Sequence, residues 1–314
     1  MATAEVLVVG AGIIGLTTAV TLAEAGHQVT VVADEIPGLT SLAAGASWGP
    51  YHVKPYHRVS WWSRHTLKVL TELADVASTG VQMVSGIEAS RTAVSLPDWA
   101  AELPDVKECR GNELPAGFRT GWRYTVPVID MPRHLGYLLR RLAVAGGLIE
   151  ERYVANLNDV TAKADAVVNC SGLGARDLAA DDSMYPIRGQ LVVVSNPGID
   201  TFFSEDTRSS PDLTHYLPQG DTVILGGLAV PGDASREPDP ATAEAIIARC
   251  FEIEPMLRQA QVLEHRVGLR PTRPQIRLDM ERLDGTLLIH SYGHGGAGAS
   301  LSWGCAAETE QLIR

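Results

Sequence analysis

The chain is poor in the features that mark several functional classes. Basic residues are outnumbered: 26 Lys and Arg stand against 37 Asp and Glu, for a net charge of −11. A surface that follows a phosphate backbone needs an excess of cations, so a nucleic-acid partner is not expected. No apolar run reaches the roughly 18 residues that a membrane-spanning helix requires. The four cysteines, Cys109, Cys170, Cys250 and Cys305, are scattered and form no C-x-x-C pair. They read as buried free thiols of a reducing compartment. No basic n-region precedes the first apolar run, and the C-terminal Gln311-Leu312-Ile313-Arg314 is no peroxisomal tripeptide. A cytoplasmic protein is therefore expected. There is no internal repeat, no Ser-His-Asp order and no paired-carboxylate site. His290 and His294 flank a glycine loop instead of sharing a helix face, so no metal site is expected.

What is present begins at once. Glu5 to Asp34 reads EVLVVGAGIIGLTTAVTLAEAGHQVTVVAD. Val6 to Val9 suits a strand buried on both faces. Gly10, Gly12 and Gly15 follow as G-x-G-x-x-G, in the stretch Gly10-Ala11-Gly12-Ile13-Ile14-Gly15, and Leu16 to Ala25 continues as helix. His27 to Val32 is a second strand, and Asp34 falls at the roughly 20-residue spacing of a dinucleotide fingerprint. Gly10 permits the tight turn, Gly12 lets backbone approach a pyrophosphate, and Gly15 lets helix pack on strand. The helix N-terminus offers N–H groups to the phosphates, and Asp34 can accept from a ribose diol.

Further on, Pro37 to Ala46 is loop-like, with the small residues Ala43 to Ala46 able to lie against a flat ligand. Arg58 to Ala74 is spaced as an amphipathic helix, with Trp61 and Trp62 expected in the core. Val81 to Ala89 and Gly121 to Ile129 read as strands, Pro97 to Gly117 as loop. Asp130-Met131-Pro132 opens a helix. Ala166 to Val168 is a strand running into Asn169-Cys170-Ser171-Gly172, as a parallel sheet shows where its carboxyl edge meets a ligand. Leu191 to Val194 is a strand, and Leu213 to Leu217 with Thr222 to Leu225 a hairpin. Pro240 to Phe251 is a helix. Val262 to Leu269 is a strand expected to stop before Pro271, and Thr286 to His290 another. Tyr292 to Gly298 is a second glycine loop, opening a helix from about Ala299 to Ile313.

Two glycine loops, each opening a helix, favour FAD over a nicotinamide. The second positive helix end can stabilise negative charge on the N1/O2 side of a flavin. Both ends of the chain then build one nucleotide-binding domain with the middle inserted. The fold expected is α/β: a discontinuous Rossmann-like FAD-binding domain (1–55, 132–185 and 268–314) with an inserted α+β substrate-binding domain (56–131 and 186–267) dominated by a mixed or antiparallel sheet. An arginine fork is the natural partner of a carboxylate. Arg270 is one candidate, Arg273 and Arg277 compete with it, and the plain alternative is a surface arginine.

GAGIIGL at Gly10 to Leu16, AAG at Ala43 to Gly45, NCSG at Asn169 to Gly172 and RGQ at Arg188 to Gln190 resemble the D-amino acid oxidase / D-aspartate oxidase family of flavoproteins. So do LGG at Leu225 to Gly227, GLRPTRPQIRL at Gly268 to Leu278 and YGHGGAG at Tyr292 to Gly298. The resemblance runs through nearly the whole chain. It implies noncovalent FAD and oxidative deamination of D-amino acids to 2-oxo acids, ammonia and hydrogen peroxide. A D-aspartate oxidase, a glycine- or sarcosine-type amine oxidase or dehydrogenase, and a non-catalytic flavin-binding regulator are the alternatives. By position it implies that Arg270 binds the substrate carboxylate and that the Gly296 carbonyl accepts from the amine. Asp34, Thr40, Ser41, Gly45, Val154, Ser171, Gly172, Arg277, Gly295, Gly298 and Ser300 match flavin contacts. The family carries an arginine beside the ribose acid; here that residue is Glu35. It carries a tyrosine three residues before the proline of the Leu217-Pro218 turn; here His215 stands there, with Tyr216 one step along. Neighbours in a strand face opposite ways, so only one of the two can meet the substrate. If it is His215, its protonated ring is expected to help Arg270 hold the carboxylate. Gly296 points to neutral side chains. A homodimer is expected only from the commonness of twofold assemblies.

Overall fold

The computed structural model describes residues 3–51, 53–161, 164–205, 212–283 and 285–314. A single sheet of 15 strands runs through it. Its parallel half gathers strands from the start, the middle and the end of the chain. Glu5–Val9 lies between Gln28–Ala33 and Ala166–Asn169, and Leu148–Glu151 and Thr286–His294 complete the parallel set on the two sides. After its exposed first residue the central strand is buried and apolar on both faces, because helices cover it above and below. Ile13–Glu24 packs against Gly298–Ile313, which in turn meets Tyr56–Ala74. The last crossing is close because Gly304 has no side chain to strike the Trp62 backbone.

The other half is mainly antiparallel. From the centre outward it comprises Val262–Leu283, Tyr185–Ser195, Thr222–Gly226, His215–Gln219 and Phe202–Glu205, then Val81–Ser90 and Thr120–Ile129. The fold is therefore α/β with a large mixed sheet. The Val262–Leu283 strand joins the two halves, pairing with Tyr185–Ser195 on one side and Thr286–His294 on the other. This corrects the expected stop before Pro271. Pro271 stands opposite Pro186, whose carbonyl takes its donor from the Gly232 N–H at 2.8 Å and so does not call on Pro271 for one, and an irregularity in register between Thr272 and Arg277 accommodates Pro274.

The largest apolar cluster is continuous through both halves, and a second lies on the other face of the antiparallel strands. The first includes Leu16, Leu135, Leu138 and Trp48, and the second Phe203, Tyr216, Val192 and Ile246. Trp62 is fully buried, with its indole N–H donated to Glu308 at 2.6 Å. Trp61 is 39% exposed and stacks on His65, so only one of the two tryptophans is core. All four cysteines are buried and free. Among the described residues, no helix is long and apolar enough to cross a membrane. Among them, too, no group of three or more His, Cys, Asp or Glu side chains could hold a metal ion.

Candidate active site

A cavity of about 800 Å³ lies where the two halves of the sheet meet. One end is the nucleotide fingerprint. Gly10 has φ +110°, and a side chain there would come within 2.5 Å of the Cys170 carbonyl oxygen. This is a turn only glycine can make at this closeness. Gly12 leads into the Ile13–Glu24 helix, whose first N–H is taken by Ser41 Oγ at 2.9 Å. Gly10, Ala11, Gly12, Ile13, Ile14, Asp34, Thr40, Ser41, Gly45, Val154, Ser171 and Gly172 line the cavity, as do Gly295, Gly296 and Gly298 of the second loop. Arg152 and Tyr153 line it beside Asp34 and Glu35; nothing in the sequence had marked them. The Arg152 N–H donates to the Ala33 carbonyl at 2.8 Å, which fixes this segment along the strand that ends at Asp34. Thus an arginine does meet the Asp34 end of the cavity, although it comes from another part of the chain.

The other end holds Arg270. Its guanidinium lies flat over Gly189, where an added Cβ would sit 2.6 to 2.8 Å from Nη1, Nη2 and Cζ. Nη1 donates to the Leu228 carbonyl at 3.0 Å and, longer, to the Arg188 carbonyl at 3.4 Å. Burial lowers the pKa of Arg270 from its usual range. Among the described residues, no carboxylate stands within ion-pair reach of it. A buried cation with part of its fork unused is poised for an anion. Arg273 also lines the cavity, but it is committed to Asp181 at 2.8 Å.

His215 lines the cavity from the neighbouring strand, and Tyr216 does not. The tyrosine faces the opposite way, its ring stacked on Phe203 at 5.8 Å within the far-side cluster. Tyr216 therefore stands away from the site. The expected charge of His215 also needs correction. Burial lowers its pKa to about 4, helped by Arg270 and Arg249 and opposed by its bond to the Leu213 carbonyl, so the ring is neutral at physiological pH.

Three further residues stand off the cavity. Gly15 packs its backbone against Gly10 and serves the helix–strand contact. Arg277 turns to Asp279 at 3.0 Å and to the Tyr292 hydroxyl at 3.0 Å. The Ser300 hydroxyl bridges Gly49, accepting from its N–H at 3.0 Å and donating to its carbonyl at 3.1 Å. His290 and His294 share no ligand. His290 meets Glu281 at 2.8 Å, while buried His294 lies 3.4 Å from Cys305 Sγ.

Tyr51 forms part of the cavity wall and was missed. Its hydroxyl donates to Glu88, a buried carboxylate that also accepts from Tyr124 at 2.6 Å. Ser204 lies across from both Glu88 and His215 in the sheet, so these three residues form a polar row on one face. Only the strand register, which sequence spacing does not disclose, brings them together.

A model of the FAD dependent oxidoreductase family matches residues 5–312. The chain belongs to that family. Its cofactor is FAD. The sequence is 48% identical over 312 residues to a D-amino-acid oxidase of Rubrobacter xylanophilus, covering 98% of this chain and 95% of that one. It is 45% identical to a D-amino-acid oxidase of Streptomyces coelicolor over 98% of this chain and 96% of that one. A human D-aspartate oxidase is 36% identical over 100% and 95%. Among solved structures, a glycine oxidase of Geobacillus kaustophilus superposes with a TM-score of 0.81 at 18% identity, covering 100% of this chain and 95% of that one. At that identity the likeness speaks for the fold. The cavity suits the cofactor of this family: glycine backbone and a helix start for a pyrophosphate, Asp34 for a ribose, and room enough at about 800 Å³.

Proposed function

We propose that this chain oxidises D-amino acids with neutral side chains, yielding 2-oxo acid, ammonia and hydrogen peroxide. The observation that carries the reading is Arg270: a buried guanidinium, without a carboxylate partner among the described residues, on the cavity that also holds the nucleotide fingerprint. The high identity to the two bacterial D-amino-acid oxidases supplies the configuration and the acceptor.

In this reading Gly10 to Ile14, Asp34, Thr40, Ser41, Gly45, Val154, Ser171, Gly172 and the Gly295 to Gly298 loop hold FAD. Arg152 takes the place of the arginine that the family carries beside Asp34. The bound cofactor supplies a two-electron acceptor for the hydride on the α-carbon. The protein's own contribution is positioning. Arg270 binds the carboxylate with two parallel N–H bonds and fixes the α-carbon. The Gly296 carbonyl accepts from the amine. Ile187, Leu213 and Leu217 give the side chain an apolar wall. No acid or base side chain need touch the α-carbon when its hydrogen leaves as hydride, taking both electrons of the C–H bond with it. The division of the chain into a discontinuous FAD-binding domain and an inserted substrate-binding domain goes with this reading, as does a cytoplasmic setting in which the four thiols stay reduced.

The test is peroxide formation in air by purified protein given a neutral D-amino acid. Peroxide in proportion to substrate consumed is expected. Flavin reduced by substrate with no peroxide would instead mark a dehydrogenase using another acceptor.

A further inference from the structure

His215 stands where the family places a tyrosine, and its surroundings define which of its atoms can meet a ligand. The ring rests against Gly226 and Gly227, its Cε1–Nε2 edge filling the space that a side chain at 226 would take. The same short segment carries the arginine: Arg270 Nη1 donates to Leu228, and Arg249 Nη2 donates to the Gly227 carbonyl at 3.0 Å. Imidazole and guanidinium are thus held side by side on the residues 226–228.

Nδ1 lies 2.8 Å from the Leu213 carbonyl oxygen. A carbonyl only accepts, so Nδ1 carries the proton and the neutral ring presents a lone pair at Nε2. A second proton would have to enter beside Arg270 from the Val262–Leu283 strand and Arg249 from the Pro240–Ile253 helix. Cys250 of that helix approaches backbone carbonyls, that of His215 at 3.4 Å and that of Gly226 at 3.8 Å. Among the described residues, Nε2 has no hydrogen-bond partner.

A lone pair repels a carboxylate and attracts an N–H donor. In an α-amino acid whose carboxylate sits on Arg270, the amine is two bonds from the carboxylate carbon and lies within reach of a neighbouring acceptor. We propose that His215 Nε2 accepts a hydrogen bond from the substrate's α-amino group, holding the amine while Arg270 holds the carboxylate. This inverts the polarity of the tyrosine position, whose phenol can donate to a carboxylate. The inference rests on the D-amino acid reading above.

The test compares D-alanine (or whichever neutral D-amino acid is oxidised best) with the acid that lacks only its amine, propionate for D-alanine. His215→Phe should lower kcat/KM for the amino acid roughly 10- to 100-fold, the effect of one lost bond to a charged group. The inhibition constant of propionate should change less than about threefold on the same scale. His215→Gln, whose amide oxygen can accept, should recover most of the loss. An equal loss for both ligands would assign His215 to the carboxylate and overturn the inference; no loss for either would remove it from the substrate altogether. Wild-type protein gives a check independent of any variant. The propionate constant should not tighten between pH 8 and pH 5.5, whereas tightening through that range would show a ring that protonates and donates. A wild-type enzyme that oxidises no D-amino acid would overturn the functional reading itself, and the inference with it.

Discussion

Adding one methyl group at Gly189 should damage catalysis through Arg270 while leaving the fold intact. Gly189 lies in the Tyr185–Ser195 strand opposite Gly268, in backbone that an alanine can adopt. Its new Cβ would stand 2.6 Å from Nη1, 2.7 Å from Nη2 and 2.8 Å from Cζ of Arg270. Ordinary contact begins near 3.4 Å, so the guanidinium must withdraw by roughly 0.8 Å. The obstacle is the end of a flexible side chain, which makes the shift cheap for folding, and alanine in a strand offsets it by about 0.5–1 kcal/mol relative to glycine. A bidentate fork has little tolerance: misplacement of about 1 Å can cost on the order of 100-fold in rate. Gly189→Ala should therefore lose roughly 10- to 100-fold in kcat/KM, mainly through KM, with Tm and FAD content unchanged. Arg270→Ala, which removes the charge, should lose roughly 30- to 1000-fold, or about 2–4 kcal/mol. The decisive result is the double variant. If Gly189 acts through the guanidinium, adding Gly189→Ala to Arg270→Ala should cost almost nothing further. The same fold-loss in both backgrounds would refute this reasoning.

Two other outcomes are expected. Asp34→Ala should weaken FAD retention without changing substrate preference, because the ribose is remote from the α-carbon; gel filtration and the protein-to-flavin absorbance ratio report it, and unchanged retention would remove Asp34 from the cofactor site. Stability should fall on acidification from about pH 6.5. Burial holds His134 and His215 down to about 4 and His294 to about 3. The unfolded chain binds protons there that the folded chain does not, at up to about 1.4 kcal/mol per pH unit for each histidine. His134→Leu should flatten the slope of Tm between pH 6 and pH 5, and an unaltered slope would show that His134 contributes nothing.

Much of the parallel half was legible because its signals are local. A strand, three glycines, a helix and a second strand ending at Asp34 lie within one short stretch, and each type is required where it stands. The Arg270 site was legible only as a motif. What makes it a site is the pairing of its strand with Tyr185–Ser195, which puts Gly189 beneath the guanidinium. No local pattern encodes that register. The same limit applies to Tyr51 and Glu88, brought together by elements 37 positions apart. Alternation established that His215 and Tyr216 face opposite ways, but which one faces the cavity depends on where Phe203 offers a stacking partner. The expected end of the strand at Pro271 failed for a related reason: a proline breaks a ladder only where its partner needs its N–H, and the Pro186 carbonyl opposite is supplied by Gly232 instead.

The central claim is oxidation of D-amino acids by a flavin held in this cavity. Anaerobic titration of the purified holoprotein with matched D- and L-amino acids, followed at the flavin's visible absorbance, tests it most directly. Neutral D-amino acids should bleach the flavin while their L-enantiomers leave it oxidised. A flavin that no D-amino acid bleaches, or that both enantiomers bleach alike, would contradict the account.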